Sequence, residues 1–341
     1  MGYDNLRLEK GMYRQAGMSF TQVLESLDPS ENYRGTALEG TDVFQRQLKR
    51  FGIRAKGAGS SPVEKFFATM DSAVLFPEYI ARTVRQGMEE NDILPSIVAT
   101  TTVIDSMDYR SIYSNPTEDA KMLKSVAEGG EIPSTEVSTK EHLINLTKRG
   151  RMLVASYEAL RFQKLDLFSV MLRQIGAYIQ KQQLADAVNV IIHGDGNNNA
   201  AVQYTIGTSP MSGTKGKLTY DQLVEFWGQF DPYNMNTILC STGTMTKLLK
   251  VPELQNPMTG LNFQGTGKVG TPLGAGVHRT GAVADGVMIG LDNRYALELV
   301  RAGDVMVEYD KLIDRQLERA AITSISGFGK ICDGAAAVLN V

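Results

Sequence analysis

The sequence has few of the residues that form metal centres and disulfide scaffolds. Its 341 residues include two cysteines, Cys240 and Cys332, and three histidines, no two of which lie at the spacing of a zinc-binding helix. Two cysteines far apart in sequence are typical of reduced, buried thiols rather than of a disulfide framework. No run of about 18 apolar residues occurs, so no membrane-spanning helix is predicted, and the polar segment Met1–Lys10 predicts no signal peptide.

Charge and motif content exclude further classes of protein. The net charge is −3, from 35 basic and 38 acidic residues, which argues against a protein that coats nucleic acid with its whole surface. Phosphate-binding glycine loops and nucleophile elbows are absent, and the calcium-like run that starts at Asp195 has Ala200 and Ile206 where glycine and glutamate are needed. The sequence therefore predicts no catalytic, metal-binding or cofactor-binding residues.

The N-terminal region, about residues 1–65, mixes charges, glycines and a weak apolar pattern. By itself it should be disordered or loosely helical, because it can bury little apolar surface. Within it, Val43–Lys56 has apolar residues at helical spacing and no acidic residue. This stretch either contacts a polyanion or an acidic partner, or packs as a solvated helix on a neighbour, which we favour. Its basic residues are Arg46, Lys49, Arg50, Arg54 and Lys56.

The middle of the chain contains a strand followed by an unusually long polar segment. Dense β-branched residues predict a strand within Ile93–Asp105. Tyr109–Lys148 is polar and much longer than ordinary connections, and alternation near its end indicates an extended hairpin arm. Such an arm is marginally stable alone, so we expect it to lie on a neighbour.

A long helix is predicted after this arm. Apolar residues recur at helical spacing for about seven turns from Asp166, a candidate cap, to His193, and Gly194 ends the helix. Gln180, Lys181 and Gln182 are expected on its solvent side, and Ser156 is a candidate cap for a short helix before it. From Ala200 onward, glycine, proline and asparagine separate short elements, which predicts an α+β domain with a small central sheet.

The order of these parts is similar to that of the major capsid proteins of tailed phages, which share the Hong Kong phage-type capsid fold. Ala127–Pro133 resembles the Glu-Gly-Gly and proline stretch of the family's extended loop. Val154–Leu160 resembles the entry to the family's spine helix, and His193–Gly196 resembles the turn at the end of that helix. Val305–Val341 resembles the closing strands, so the resemblance covers roughly residues 66–341.

The resemblance implies an α+β protein with the Hong Kong phage-type capsid fold. It would have an N-terminal arm at 1–76, an extended loop at 105–148, a peripheral domain with a spine helix at about 166–193, and an axial domain. The peripheral domain would comprise 77–104, 149–200 and 304–327, and the axial domain 201–303 and 328–341.

The resemblance also implies roles in assembly for particular residues. Glycine at Gly129 and Gly130 would let the loop hinge when the shell expands, and Glu128, Glu131 and Pro133 would take part in loop contacts. The basic stretch from Arg46 to Lys56 would face the interior of the shell or an acidic scaffold. The entry and end of the spine helix would be formed by Ser156, Glu158, Asp166, Gly194, Asp195 and Gly196.

The function implied by the resemblance is structural. Copies would form pentamers and hexamers, with loop and arm lying across neighbours, in an icosahedral shell around double-stranded DNA that the shell contacts weakly and non-specifically. The arm is too short to contain a scaffold domain, so the expected partners are a separate scaffolding protein, a portal and decoration proteins. The protein would be part of the virion, assembled in the bacterial host cytoplasm.

Covalent cross-linking is not expected. Lys121, Lys124 and Lys140 are available on the loop, but no asparagine and catalytic glutamate can be matched to them. Three alternatives remain: a cellular compartment shell of the same fold with enzyme cargo, a phage tail or baseplate component, and an enzyme with a site in residues 201–303.

Overall fold

In the computed structural model the chain forms two compact units. Unit 1 comprises Met1–Asn91, Arg149–Ile179 and Val305–Ser324, and unit 2 comprises Asp92–Lys148, Gln180–Asp304 and Ile325–Val341. The residues that the structure describes are 3–14, 18–90, 92–114, 125–126, 128, 132, 137–156, 162–255, 272–303, 305–312, 314 and 316–341. The predicted division into arm, loop, peripheral and axial domains stays a prediction.

Helices and strands are both well represented, in agreement with the predicted α+β class. The helices are α1 Phe20–Leu27, α2 Val43–Arg50, α3 Met70–Glu89, α4 Leu165–His193, α5 Tyr220–Gly228, α6 Thr242–Leu249 and α7 Pro252–Gln255. The strands are β1 Val98–Ile104, β2 Ile112–Ser114, β3 Val137–Thr139, β4 Thr147–Ser156, β5 Val202–Thr205, β6 Thr237–Cys240, β7 Gly276–Arg279, β8 Val287–Leu291, β9 Leu297–Ala302, β10 Met306–Leu312, β11 Leu317–Lys330 and β12 Ala336–Asn340. Short 3₁₀ turns lie at Tyr3–Asn5, Lys10–Arg14, Ser30–Tyr33, Val63–Phe67, Leu94–Ser96, Pro272–Gly274 and Asp333–Ala335.

The N-terminal region is folded within unit 1, which differs from the expectation of a loosely helical arm. Capping boxes start α1 at Ser19 and α2 at Asp42, where each side chain accepts a backbone N–H of the first helical turn. Phe20, Val43 and Phe66 are at most 3% exposed and share one core with apolar residues of α3. Several short elements thus bury their apolar faces against one another. Together they bury more apolar surface than any of them could alone, and this burial stabilises the folded region.

The sheet of unit 1 packs on the same core. Strand β11 pairs with β10 in antiparallel register from Met306 opposite Thr323 to Leu312 opposite Leu317, and it also pairs with β4. Alternate residues of these strands face inward, and Ile322 is fully buried among the core residues.

Unit 2 contains two groups of strands. Strand β9 pairs in parallel with β1 and in antiparallel register with the last five residues of β11. A second sheet has the order β5-β12-β8-β6-β7, and its strand β6 is buried along its whole length. Two apolar clusters pack against these strands, one of which contains Leu184, Val188 and Ile191 from α4.

Helix α4 confirms the predicted spine helix to within one residue at its start. The helix begins at Leu165, so Asp166 lies in its first turn rather than at its cap. In the first turn the negative carboxylate still interacts favourably with the positive end of the helix dipole. Gly194 follows the helix with φ of +87°, a conformation that glycine adopts without strain. Gln180 is not on the solvent side as expected, because it is 7% exposed and its Nε2 donates a hydrogen bond to Asp92.

The polar segment contains an antiparallel pair of strands, as the hairpin interpretation predicts. Strands β2 and β3 pair from Ile112 opposite Thr139 to Ser114 opposite Val137. No helix among the residues that the structure describes is both long enough and apolar enough to cross a bilayer.

Candidate assembly site

Two short stretches of unit 2 flank the β2–β3 pair and tie it to the rest of the unit. We call residues 105–111 the outgoing leg and residues 140–146 the returning leg. The legs are hydrogen-bonded to each other, because the amide of Lys140 donates to the carbonyl of Ser111 at 2.9 Å and that of Ile144 donates to the carbonyl of Tyr109 at 2.9 Å. The two legs therefore form a hydrogen-bonded base beside the β2–β3 pair.

The outgoing leg is anchored by the carboxylate of Glu298 on β9. This side chain accepts hydrogen bonds from the hydroxyls of Tyr109 and Ser111, both at 2.7 Å, and from Thr102 on β1 at 2.5 Å. Glu298 is 5% exposed, so three donors satisfy a carboxylate that is almost removed from water. Burial raises the pKa of Tyr109, as does its hydrogen bond to Glu298, so the phenol remains a donor at neutral pH.

The returning leg is anchored by Asp195, in the turn after α4. Its Oδ2 lies 3.2 Å from the ammonium of Lys140 and accepts the backbone N–H of Lys330 at 2.9 Å. Its Oδ1 accepts the backbone N–H and side-chain amide of Asn197 at 3.2 and 2.9 Å. Burial alone would raise the pKa of Asp195, but these hydrogen bonds and the Lys140 charge outweigh burial and lower it.

Lys330, the last residue of β11, completes this cluster. It is fully buried, and its ammonium donates to the carbonyl oxygens of Asn199 at 2.6 Å and Asp333 at 3.4 Å. Burial lowers the pKa of Lys330. Its own carbonyl accepts a hydrogen bond from the Lys140 ammonium, so the leg, the turn after α4 and the end of β11 meet in one polar network.

The returning leg also lies directly on two glycines of β11. A Cβ at Gly327 would come within 2.6 Å of the carbonyl oxygen of Asn145, and one at Gly329 within 2.6 Å of Ile144 Cδ1. Phe328 between them points to the opposite face and is 3% exposed in the core. Glycine at alternate positions thus allows the leg to approach the strand closely.

A polar cavity of about 460 Å³ lies beside the Asp195 cluster. Asn199 is 4% exposed at its wall, and its Nδ2 has no hydrogen-bond partner among the described residues. Within the part of the chain that the structure describes, no three His, Cys, Asp or Glu side chains are placed to hold a metal ion. The cavity is lined by Thr139, Lys140, Glu141, His142, Gly196, Asn197, Asn198, Asn199 and Asp333.

The structure places the predicted site residues unequally. Asp195, between Gly194 and Gly196, is the centre of the returning-leg anchor, which goes beyond its predicted role at the helix end. Ser156 is the last residue of β4, and Glu128 lies in a turn. Four predicted loop residues and one predicted entry residue lie outside the described residues: Gly129, Gly130, Glu131, Pro133 and Glu158.

Sequence reasoning missed the partners that make this site. Glu298 and Lys330 are charged residues of strands β9 and β11, far in sequence from the legs that they hold. Lys140 appeared only as a candidate for cross-linking, whereas it is 7% exposed and paired with Asp195. The alternation of Gly327 and Gly329 in a strand is the signal that could have indicated a close approach.

The predicted basic stretch needs a correction at Arg46. This residue is fully buried, and its guanidinium donates to the carboxylate of Asp28 at 3.0 Å, to Ser30 Oγ at 3.0 Å and to the carbonyl of Thr41 at 2.8 Å. It cannot face a polyanion, because its donors hold the N-terminal region together.

This chain is similar to one protein family and to several solved structures. A family model described as phage capsid protein matches residues 139–324. The virus-like particle from Pyrococcus furiosus matches with a TM-score of 0.52 and 13% identity, over 77% of this chain and 99% of that chain. The capsid of the cyanophage P-SCSP1u matches with a TM-score of 0.51 and 13% identity, over 71% of this chain and 85% of that chain. The capsid of a native GTA particle matches with a TM-score of 0.52 and 13% identity, over 75% of this chain and 89% of that chain. No curated protein sequence matches this chain significantly.

Proposed function

This chain belongs to the phage capsid protein family, and we propose that it is the major capsid protein of a tailed phage. It has the Hong Kong phage-type capsid fold of solved capsids. In this proposal, copies form pentamers and hexamers, which close into an icosahedral head around double-stranded DNA.

The observation that carries the proposal is the family match over residues 139–324. The matched region contains Lys140, Asp195 and Glu298, that is, the returning leg and both carboxylates that anchor the legs. A shell protein needs such anchors, because a segment that contacts a neighbouring copy stabilises the shell only if its base transmits the contact to the folded unit. Each contact can be weak, since a closed symmetric lattice multiplies it.

The finer parts of the proposal concern partners and location. We propose a separate scaffolding protein, a portal and decoration proteins as partners, and assembly in the cytoplasm of a bacterial host. The role requires no catalysis and no cofactor, and we propose neither. The absence of covalent cross-linking stays a prediction. Lys121 and Lys124 lie outside the described residues, and Lys140 is already paired with a buried carboxylate.

A shell with protein cargo is the second candidate. It is kept because one matching structure, of which 99% of the chain is covered, is described as a virus-like particle rather than as a phage capsid. The two candidates share the assembly and differ in the contents of the shell.

Sedimentation velocity of the full-length chain over a range of concentrations tests the proposal, with negative-stain images of the fastest species. Megadalton particles with icosahedral outlines are expected. Nuclease-protected DNA inside particles from a producing host would support the phage head, and protein cargo would support the second candidate. A chain that stays monomeric or dimeric at high concentration, also with crowding agents or a candidate scaffold, would contradict both.

A further inference from the structure

Unit 1 carries a group of positive charges that form no ion pair with the residues the structure describes. Lys49 is exposed in the last turn of α2, and Arg54 and Lys56 are exposed in the loop that follows. None of the three forms an ion pair with the described residues, and Glu64 is the one acidic residue between Val43 and Lys65. We call Lys49, Arg54, Lys56, Lys65 and Lys164 the basic patch.

The fold fixes the loop that presents these charges. The amide of Arg54 donates to Ser61 Oγ at 3.0 Å, and the amide of Ser61 donates to the carbonyl of Arg54 at 2.8 Å. The carbonyl of Ser61 in turn accepts the amide of Leu165, the first residue of α4, at 2.9 Å. Gly57 turns the loop with φ of +84°. The cations are therefore held on an ordered surface.

Two lysines from outside the stretch join the same loop. The ammonium of Lys65 donates to the carbonyl of Gly52 at 2.5 Å, and that of Lys164 lies 3.5 Å from the carbonyl of Ala58. An ammonium has three donors, so each lysine keeps donors for a further acceptor. The folded chain thus concentrates more positive charge at this loop than its own sequence indicates.

The patch differs from the two arginines beside it. Arg46 is buried and paired with Asp28, and the guanidinium of Arg50 donates to the carbonyl of Leu6 at 2.5 Å. Both arginines hold the N-terminal region, whereas the patch residues form no ion pair with any acidic residue that the structure describes. Unpaired cations close together repel each other, and a polyanion relieves that repulsion.

The composition of the surface favours phosphate over a protein partner. Four of the five patch residues lie between residues 49 and 65, where no large apolar side chain is exposed, and Phe162, two positions before Lys164, is 79% exposed. The centre of a protein–protein interface is usually apolar and aromatic throughout. A surface made mostly of lysine, arginine and backbone groups is typical of sequence-independent contact with a nucleic-acid backbone.

We propose that the basic patch binds the phosphate backbone of double-stranded DNA, so that this surface of unit 1 faces the enclosed genome. The orientation rests on the proposed function, whereas the binding does not. Each phosphate contact contributes about −0.9 to the slope of log K against log salt. Five contacts would weaken binding about 500-fold between 50 and 200 mM salt, and two would weaken it about tenfold.

The test measures binding of unassembled full-length protein to a fluorescent duplex of about 30 base pairs, by anisotropy over this salt range. The variant combines Lys49→Gln, Arg54→Gln and Lys56→Gln. A matched control, Lys215→Gln with Lys217→Gln and Lys250→Gln, removes the same charge from exposed lysines of unit 2. Circular dichroism of both variants checks that they remain folded.

In the patch variant the slope of log K against log salt should become shallower by about 2.7, and binding should be weak at every salt concentration. The control should keep the wild-type slope. Equal losses in the two variants would overturn the proposal, because binding would then follow net charge alone. Absence of wild-type binding would overturn it as well. Tighter binding of a polyglutamate peptide than of the duplex would assign the patch to an acidic protein instead.

Sedimentation of the same proteins separates this proposal from the proposed function. If wild-type protein forms shells but the patch does not bind DNA, the proposed DNA binding alone is refuted. If the chain binds DNA through the patch but never assembles, the proposed shell function alone is refuted.

Discussion

Replacing Lys140 with methionine should destabilise unit 2 by about 3 kcal/mol, because the carboxylate of Asp195 would stay buried without its cation. The two charged atoms are 3.2 Å apart, and the side chains are 5% and 1% exposed. Removal of one partner from a buried pair costs about 3–5 kcal/mol. The lower end applies here, since Asp195 would keep hydrogen bonds from Asn197 and from the amide of Lys330.

A matched control isolates the effect of burial. Arg34 and Glu31 are 3.4 Å apart, nearly the same separation, but their side chains are 76% and 79% exposed. Solvent screens such a pair, so Arg34→Met should cost less than about 1 kcal/mol. The contrast between the two variants therefore measures burial rather than distance.

Urea unfolding followed by circular dichroism measures the loss of stability, and 3 kcal/mol corresponds to a change on the order of 100-fold in the unfolding equilibrium. Hydrogen exchange locates the loss, because the amides of Lys140 and Ile144 bond across the two legs and should exchange faster in Lys140→Met. If Lys140→Met and Arg34→Met agree within about 0.5 kcal/mol, the anchoring role of the buried pair is refuted.

Three further predictions use other contacts. Gly327→Ala should cost about 1–3 kcal/mol in urea unfolding because its Cβ would lie 2.6 Å from a backbone oxygen of the returning leg, whereas Gly281→Ala, with nothing within 4 Å, should be neutral. Arg46→Met should speed limited proteolysis of the N-terminal region, since it breaks a buried pair, and Lys49→Met should not. The lowered pKa of Asp195 means that its contribution to stability is complete above about pH 4 and is lost as pH falls through the folded-state pKa; urea unfolding at neutral and acid pH should show a smaller fall in Asp195→Asn.

The parts of the fold that a local pattern determines were predictable. Helix α4 follows from apolar spacing over seven turns and from Gly194 at its end, and these signals need no tertiary partner. The resemblance to tailed-phage capsid proteins rests on several short motifs in a fixed order, and the family match confirms it.

Contacts between distant residues could not be predicted in the same way. Arg46 looks like any other cation of a basic stretch until folding brings Asp28 to it, and the N-terminal region looks unable to form a core until its short helices pack on α3. The anchors at Glu298 and Asp195 likewise join residues more than fifty positions apart. Charge and period describe a segment, whereas these contacts depend on the topology that places two segments together.

Electron cryomicroscopy of the fastest-sedimenting particles shows whether copies of this chain form a closed shell and what the segment between the legs contacts. The proposed function predicts closed icosahedral shells of pentamers and hexamers in which the segment between the two legs contacts a neighbouring copy, with Lys140 and Asp195 paired at its base. Open tubes, simple rings or small oligomers, or shells in which that segment contacts its own subunit alone, would contradict it.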